Sequence, residues 1–329
     1  MAVFLSLILV LLLSVVGYFG GSAAGTIFGV ILPYAAIAVF LIGVIYRIIQ
    51  WANTPVPFRI PTTGGQQKTL PWIRSNQLDN PSSGLGAVLR MALEVLLFRS
   101  LFRNTGAEII QDGPRLVFSE RKFLWLAALA FHWTFLFIFL RHLRFFIEPI
   151  PSCVLIAQEL DGFFQIGTPV LYMTDLVILA ALAFLLFRRL INVQIRYISL
   201  FADYFALFLI LGLAVSGVIL RYFVKTDISA IKELAMGLVT FSPAVPAGIN
   251  PIFFVHLFFL SVLVAYFPFS KLMHMGGVFL SPTRNMANNN RMKRHVNPWD
   301  YPVKVHTYEE WEEEFRDKIK AAGLPLEKA

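Results

Sequence analysis

The sequence carries six histidines, at positions 132, 142, 256, 274, 295 and 306. Four of them, His132, His142, His256 and His274, fall within or at the ends of long apolar runs. An ionisable side chain in an apolar, membrane-type helix is costly, and is a functional candidate by default. Neutral imidazole is a good ligand for haem iron. A single such histidine is as well explained by a hydrogen bond between helices. Four that fall in only two apolar segments, two in each, point instead to ligation.

The spacing tests this reading. His132 and His142 are ten residues apart, roughly 15 Å along a helix axis. His256 and His274 are eighteen apart, five full turns, so they share one face roughly 27 Å apart. The two segments are the third and sixth apolar spans, which must run antiparallel if every span crosses. The level-matched pairs are then His142 with His256 and His132 with His274, two bis-imidazole haem sites at different depths. Straight helices leave the two separations unequal, and tilt, a lateral offset of the haems or a bend near Pro268 are the means of reconciling them. There is no Cys-x-x-Cys-His motif, so the haems are expected to be non-covalent and b-type. The one cysteine, Cys153, excludes an intramolecular disulfide and iron–sulfur ligation by this chain alone. His295 and His306 lie in a polar tail and read as surface residues. Gly212 and Gly217 either admit a flat macrocycle or let helices approach, the commoner use.

These residues need a scaffold, and the composition specifies which kind. Of the 329 residues, 57% are hydrophobic and 15% charged, against about 45–50% and about 25% in soluble domains. The bilayer is therefore the expected solvent. There every backbone polar group must be paired internally, which leaves helix bundles or closed barrels. The long continuous runs select an all-α integral membrane bundle of about six spans, near 2–19, 27–50, 121–146, 168–190, 200–222 and 250–274. The expected organisation is an N-terminal helix in 1–26, taken as uncleaved, a bundle over 27–275 with a loop at 51–120, and a tail over 276–329. Residues 52–85 read as irregular, 86–103 as an amphipathic surface helix, and the tail from Thr307 as a charged helix opened by a capping box with Glu310. Ten Lys/Arg fall between 47 and 122, and none between 147 and 167. This alternation puts both termini in the cytoplasm. The net charge of +8 lies in loops and tail, where it suits an anionic leaflet and is no nucleic-acid signal.

A His-x9-His span followed, two spans later, by a His-x17-His span resembles the haem b gamma subunit of respiratory nitrate reductases. In that family the first histidine pairs with the last and the inner two pair together. The resemblance covers about residues 27–275. The additional first span, the long loop between spans two and three, and the tail from Ser281-Pro282-Thr283-Arg284 through Arg291-Met292-Lys293-Arg294 to Trp299 most resemble the cytochrome b subunits of the Dsr membrane complexes of sulfate reducers. The resemblance implies two haem b groups, electron exchange with menaquinone, and a cytoplasmic iron–sulfur subunit similar to heterodisulfide reductase subunits, within a larger membrane complex.

On this reading the outer haem is held by His142 and His256 and the inner by His132 and His274. A quinol site is expected beside the outer one, with Glu148 as proton acceptor and Arg141 and Arg144 around it. The two arginines otherwise pair with haem propionates or snorkel to the interface. The alternatives are a gamma-type cytochrome b of another respiratory reductase, a transporter using the histidines as a proton relay, and a cofactor-free scaffold. A transporter is expected to show matching Gly/Pro breaks in two repeated halves, and no such repeat is found. A scaffold leaves four intramembrane histidines unexplained.

Overall fold

Away from water a helix satisfies its own backbone, so long uncharged runs become helices. The computed structural model describes residues 1–54, 72, 74, 76–110, 115–224, 226–289 and 305–327. The chain divides into two compact units, residues 1–50 with 88–281, and residues 51–87 with 282–329. In order, the helices are α1 (Ala2–Ala23), α2 (Leu32–Ala52, led by a π-helical turn Ile27–Ile31), α3 (Gly84–Leu97) and α4 (Arg99–Phe102). An antiparallel hairpin of β1 (Thr105–Ile110) and β2 (Arg115–Glu120) follows, with Thr105 opposite Glu120. Then come α5 (Lys122–His142), α6 (Ser152–Asp161), α7 (Met173–Ile191), α8 (Val193–Ile198), α9 (Phe201–Tyr222), α10 (Ile228–Val239), α11 (Pro251–Tyr266), α12 (His274–Leu280), α13 (Pro282–Asn285) and α14 (Tyr308–Ala321).

Among the described residues, five stretches are long and apolar enough to cross a membrane: Ala2–Ala23, Ile27–Ala52, Lys122–Phe145, Phe201–Tyr222 and Pro251–Phe269. The span expected at 168–190 forms α7, of 19 residues, whose ends carry Asp175, Arg188 and Arg189. Charge, not length, sets it apart from the other five. The connections 147–167 and 223–249 contain α6 and α10, helices that the sequence reading did not assign, and neither was the hairpin. The helix expected over 86–103 breaks at Phe98, whose φ of +50° is left-handed. Two indoles of α5 hold that break: Trp133 Nε1 donates to the Leu96 carbonyl (3.0 Å) and Trp125 Nε1 to that of Leu97 (2.7 Å).

Within the first unit α9 packs against α1, α7 and α11, while α5 packs on α7. Leu182 of α7, Phe208 and Leu209 of α9, and Val255, Phe259 and Leu263 of α11 form the buried core between them. Helix α1 lies directly on α11, and small residues make this possible. A Cβ added at Gly21 would fall 2.2 Å from Cβ of Phe254, and one at Gly17 would fall 3.0 Å from Cα of Val255. Without a solvent-driven hydrophobic term between spans, such close backbone approach is a main source of helix association.

The last span is interrupted. Proline cannot donate the helical bond and clashes with the preceding turn, and α11 ends at Tyr266, before Pro268. A 3-10 turn Phe267–Phe269, an extended Ser270 (φ −119°, ψ 174°) and a second 3-10 turn Lys271–Met273 then lead into α12. Helix α2 receives this bend: Arg47 Nε donates to the Pro268 carbonyl (3.3 Å), and a Cβ at Gly43 would lie 2.7 Å from that of Pro268.

In the second unit, Asn288 N donates to the Pro81 carbonyl (2.7 Å) and Asn288 Nδ2 to Asn80 Oδ1 (2.6 Å). The capping box expected at Thr307 and Glu310 is formed, with both reciprocal bonds present. His306 stands 3.7 Å from Glu310, while His295, Trp299 and the basic run 291–294 lie outside the described residues.

The glycine contact is testable. Gly21→Val should push α1 off α11, at about 1–3 kcal/mol of overpacking strain, lowering the melting temperature in detergent. An unchanged melting temperature would show that α1 is not held by this contact.

Candidate cofactor site

The four histidines converge in two pairs. The His132 and His274 rings stand 6.0 Å apart between centroids, at 85° to one another. Those of His142 and His256 stand 6.3 Å apart and nearly parallel, at 12°. Both members of α5 thus meet partners on the last span in reversed order, so the two segments run antiparallel. The unequal spacings along the two segments meet because the last span is not one rigid helix between His256 and His274. Pro268 and the extended Ser270 redirect it.

Three of the four rings are oriented by the same device. Nδ1 of His132 bonds the Ala128 carbonyl (2.7 Å), Nδ1 of His142 that of Ile138 (2.7 Å), and Nδ1 of His274 that of Lys271 (2.9 Å). A carbonyl accepts only, so Nδ1 carries the proton in these three and Nε2 keeps its lone pair. His256 differs, because its Nδ1 lies 3.0 Å from Ser216 Oγ. The hydroxyl donates its own proton to the Leu213 carbonyl (3.0 Å) and so accepts from the imidazole. An N–H anchored in this way fixes the tautomer of a metal-binding histidine and raises its basicity.

The pairs fit iron in a macrocycle. Imidazole–metal bonds run about 2 Å and each centroid lies about 1 Å behind its nitrogen, so two rings on one iron stand roughly 6 Å apart. Two imidazoles suit an ion whose other four ligands come from a porphyrin. Helices α5 and α11 make at most marginal direct contact, and the imidazoles reach across the gap. His132, His142 and His274 are exposed along it, whereas His256 is partly buried. Gly217 lets α9 approach from behind, since a Cβ there would lie 3.2 Å from Cε1 of His256. At the other pair, Phe98 and Phe131 set ring edges against His132, at 4.9 and 5.0 Å.

Arg141, expected at a quinol site, is buried in a polar knot. Its Nε lies 3.0 Å from Asp161 Oδ2 and its Nη2 2.9 Å from Asp175 Oδ1. Thr174 joins through Asp161, and Tyr222 donates to Asp175 Oδ2 (2.7 Å). The Arg141 and Arg221 guanidiniums both lie over the Tyr172 ring, 3.9 and 3.8 Å from its centroid. Arg144 donates to Gln158 Oε1 (2.9 Å). Glu148 is ion-paired with Lys232 of α10, and its carboxylate is more than half exposed. The sequence reading missed Asp161, Asp175, Tyr172 and Ser216 as neighbours of the site. For the two aspartates a signal existed: carboxylates beside apolar runs require a partner, and Arg141 is the nearby buried cation.

An antiparallel membrane helix bundle with two facing imidazole pairs is the architecture of a membrane cytochrome b. The profile of the nitrate reductase gamma subunit family matches residues 91–293, and the chain belongs to that family. An Hdr-like menaquinol oxidoreductase cytochrome b-like subunit of Archaeoglobus fulgidus is 49% identical over 84% of this chain and 84% of its own length. A relative with the same description from Archaeoglobus profundus is 44% identical over 82% of this chain and 81% of its own.

The knot yields a prediction. Arg141→Ala would strand two buried carboxylates, a loss of about 3–5 kcal/mol, and should sharply reduce accumulation in the membrane. Normal accumulation and melting would show that Arg141 is free for another role.

Proposed function

We propose that this chain is the di-haem cytochrome b subunit of a respiratory membrane complex, passing electrons between menaquinol and a cytoplasmic iron–sulfur subunit. The observation that carries this reading is the two imidazole pairs, with ring centroids 6.0 and 6.3 Å apart, across a gap between helices that make at most marginal contact. Among members of the family we place it with DsrM, the cytochrome b subunit of the Dsr complexes, in sulfur or sulfate respiration. The relatives' description as Hdr-like supports a partner similar to heterodisulfide reductase subunits. A haem in each site would supply one-electron transfer. His142 and His256 would hold the outer haem, and His132 and His274 the inner one.

The topology belongs to the proposal. Helix α7 crosses as a sixth span: Asp175 is neutralised by Arg141, and Arg188 and Arg189 sit at the opposite end. Both termini then lie in the cytoplasm, as the basic loops favour.

Quinol oxidation at the outer side requires a proton acceptor. Glu148 is the candidate, six residues beyond His142 and exposed. Its carboxylate is paired with Lys232 of α10. Arg141 positions the surrounding elements and Arg144 flanks them.

Two experiments test this. The purified complex should show two low-spin haem signals in electron paramagnetic resonance. The near-perpendicular 132/274 pair should give the strongly anisotropic one, and the near-parallel 142/256 pair the rhombic one. His132→Ala or His274→Ala should remove the first alone, and His142→Ala or His256→Ala the second alone; if His132→Ala and His256→Ala abolish the same signal, the pairing is wrong. Glu148→Gln should slow quinol-driven reduction on the order of a hundredfold, with haem content and dithionite reduction unchanged. Normal quinol-driven reduction would remove Glu148 from the mechanism.

A further inference from the structure

Asp203, in the first turn of α9, has no part in the chemistry above, yet its carboxylate is buried and fully engaged. Its Oδ2 accepts from Leu200 N (3.0 Å) and lies 3.7 Å from Arg189 Nη1. Its Oδ1 accepts from Lys271 Nζ at 2.8 Å. Lys271 opens the 3-10 turn that ends the interruption of the last span, and its own carbonyl accepts Nδ1–H of His274. A continuous path therefore runs from carboxylate to ammonium, through one residue's backbone, to an imidazole.

The position of that carbonyl explains why an anchor is needed. The acceptors of His132 and His142 are i−4 carbonyls inside α5, fixed by the helix itself. The acceptor of His256 is a serine of the neighbouring α9. The acceptor of His274 lies in a short 3-10 turn after an extended residue, where no regular helix fixes it. Three-residue 3-10 turns have poorer hydrogen-bond geometry and are not self-supporting. Two devices hold this one: Ser270 Oγ caps Leu272 N (3.2 Å), and Asp203 grips Lys271. The Lys271 side chain is 74% exposed, so the ion pair contributes little to stability. Orientation is what it can supply.

We propose that Asp203 and Lys271 form a clasp that positions His274, and so sets the ring geometry of the 132/274 site. This rests on the cofactor reading above. Asp203 is a positioning residue, acting through the Lys271 backbone on the tautomer and plane of the imidazole. Such hydrogen-bond partners of metal-binding histidines tune the metal as well as hold it.

The test uses the whole complex in its membrane, with Asp203→Asn, Lys271→Met, the double variant and Lys271→Arg. Paramagnetic resonance and redox titration are read together. The two single variants should alter the signal that His274→Ala removes, both in the same sense, and leave untouched the one that His256→Ala removes. The double variant should match either single, because the two residues act as one device. Lys271→Arg, which keeps the cation, should restore the wild-type signal. Lys271→Met with an unaltered signal overturns the clasp, and it decides alone if Asp203→Asn fails to accumulate. Potentials that move in opposite directions in the two singles and sum in the double also overturn it, since that is the mark of charge without positioning. If His274→Ala leaves both signals intact, the cofactor assignment fails and the clasp with it; a normal His274→Ala result with unaltered clasp variants rejects the clasp alone.

Discussion

A neutral imidazole can present a lone pair in an apolar interior only if its N–H is satisfied elsewhere, because an unpaired polar group there is costly. Much of the arrangement of this bundle follows from that constraint. Each of the four rings has an acceptor for Nδ1 close by, and each acceptor comes from backbone or from a hydroxyl already committed as a donor. The rings can then point across a gap instead of into their own helices. Because α5 and α11 are bridged by side chains and not packed together, the bundle needs other contacts to hold them at that distance. It has them in the run of packed neighbours α5–α7–α9–α11, closed on its far side by α1.

Helix α9 is the pivot of this arrangement. Its middle carries the hydroxyl that orients His256 and the glycine that lets α9 come close behind that ring. Its buried face supplies Phe205, Phe208 and Leu209 to the core. The interruption at Pro268 complements it. A continuous helix would hold His256 and His274 at a fixed separation unsuited to partners on α5, and the break removes that restriction. The break in turn exposes backbone carbonyls, and Arg47 from α2 satisfies the one at Pro268.

How much of this was legible in the sequence differed by residue. The four histidines, their two-span distribution and their level pairing followed from residue type, helical rise and the parity of crossings. Pro268 advertised a bend, but the path beyond it depended on Ser270 adopting an extended conformation, which no local propensity demands. Phe98 adopts a left-handed φ against its steric preference, a choice made by the indoles of α5 and invisible in its neighbours. Ser216 looks like any mid-helix serine and acquires its role only from a histidine forty residues away. Asp161 falls in a connection between spans, where an acid is expected to be solvated, whereas it is buried against Arg141. The hairpin at 105–120 was missed because its strands, Thr-Gly-Ala-Glu-Ile-Ile and Arg-Leu-Val-Phe-Ser-Glu, show little clean alternation.

The knot around Tyr172 has a consequence for any charge that arrives nearby. Two guanidiniums lie against one ring, and one of them is paired with two carboxylates. Ions paired with one another in this way have less freedom to reorient than water or loose side chains. A preorganised polar environment of this kind incurs little reorganisation when the charge changes. Were a haem held beside His142 as proposed, a polar surrounding already paired in this way would lower the reorganisation energy of its electron transfer without drying the site of charge.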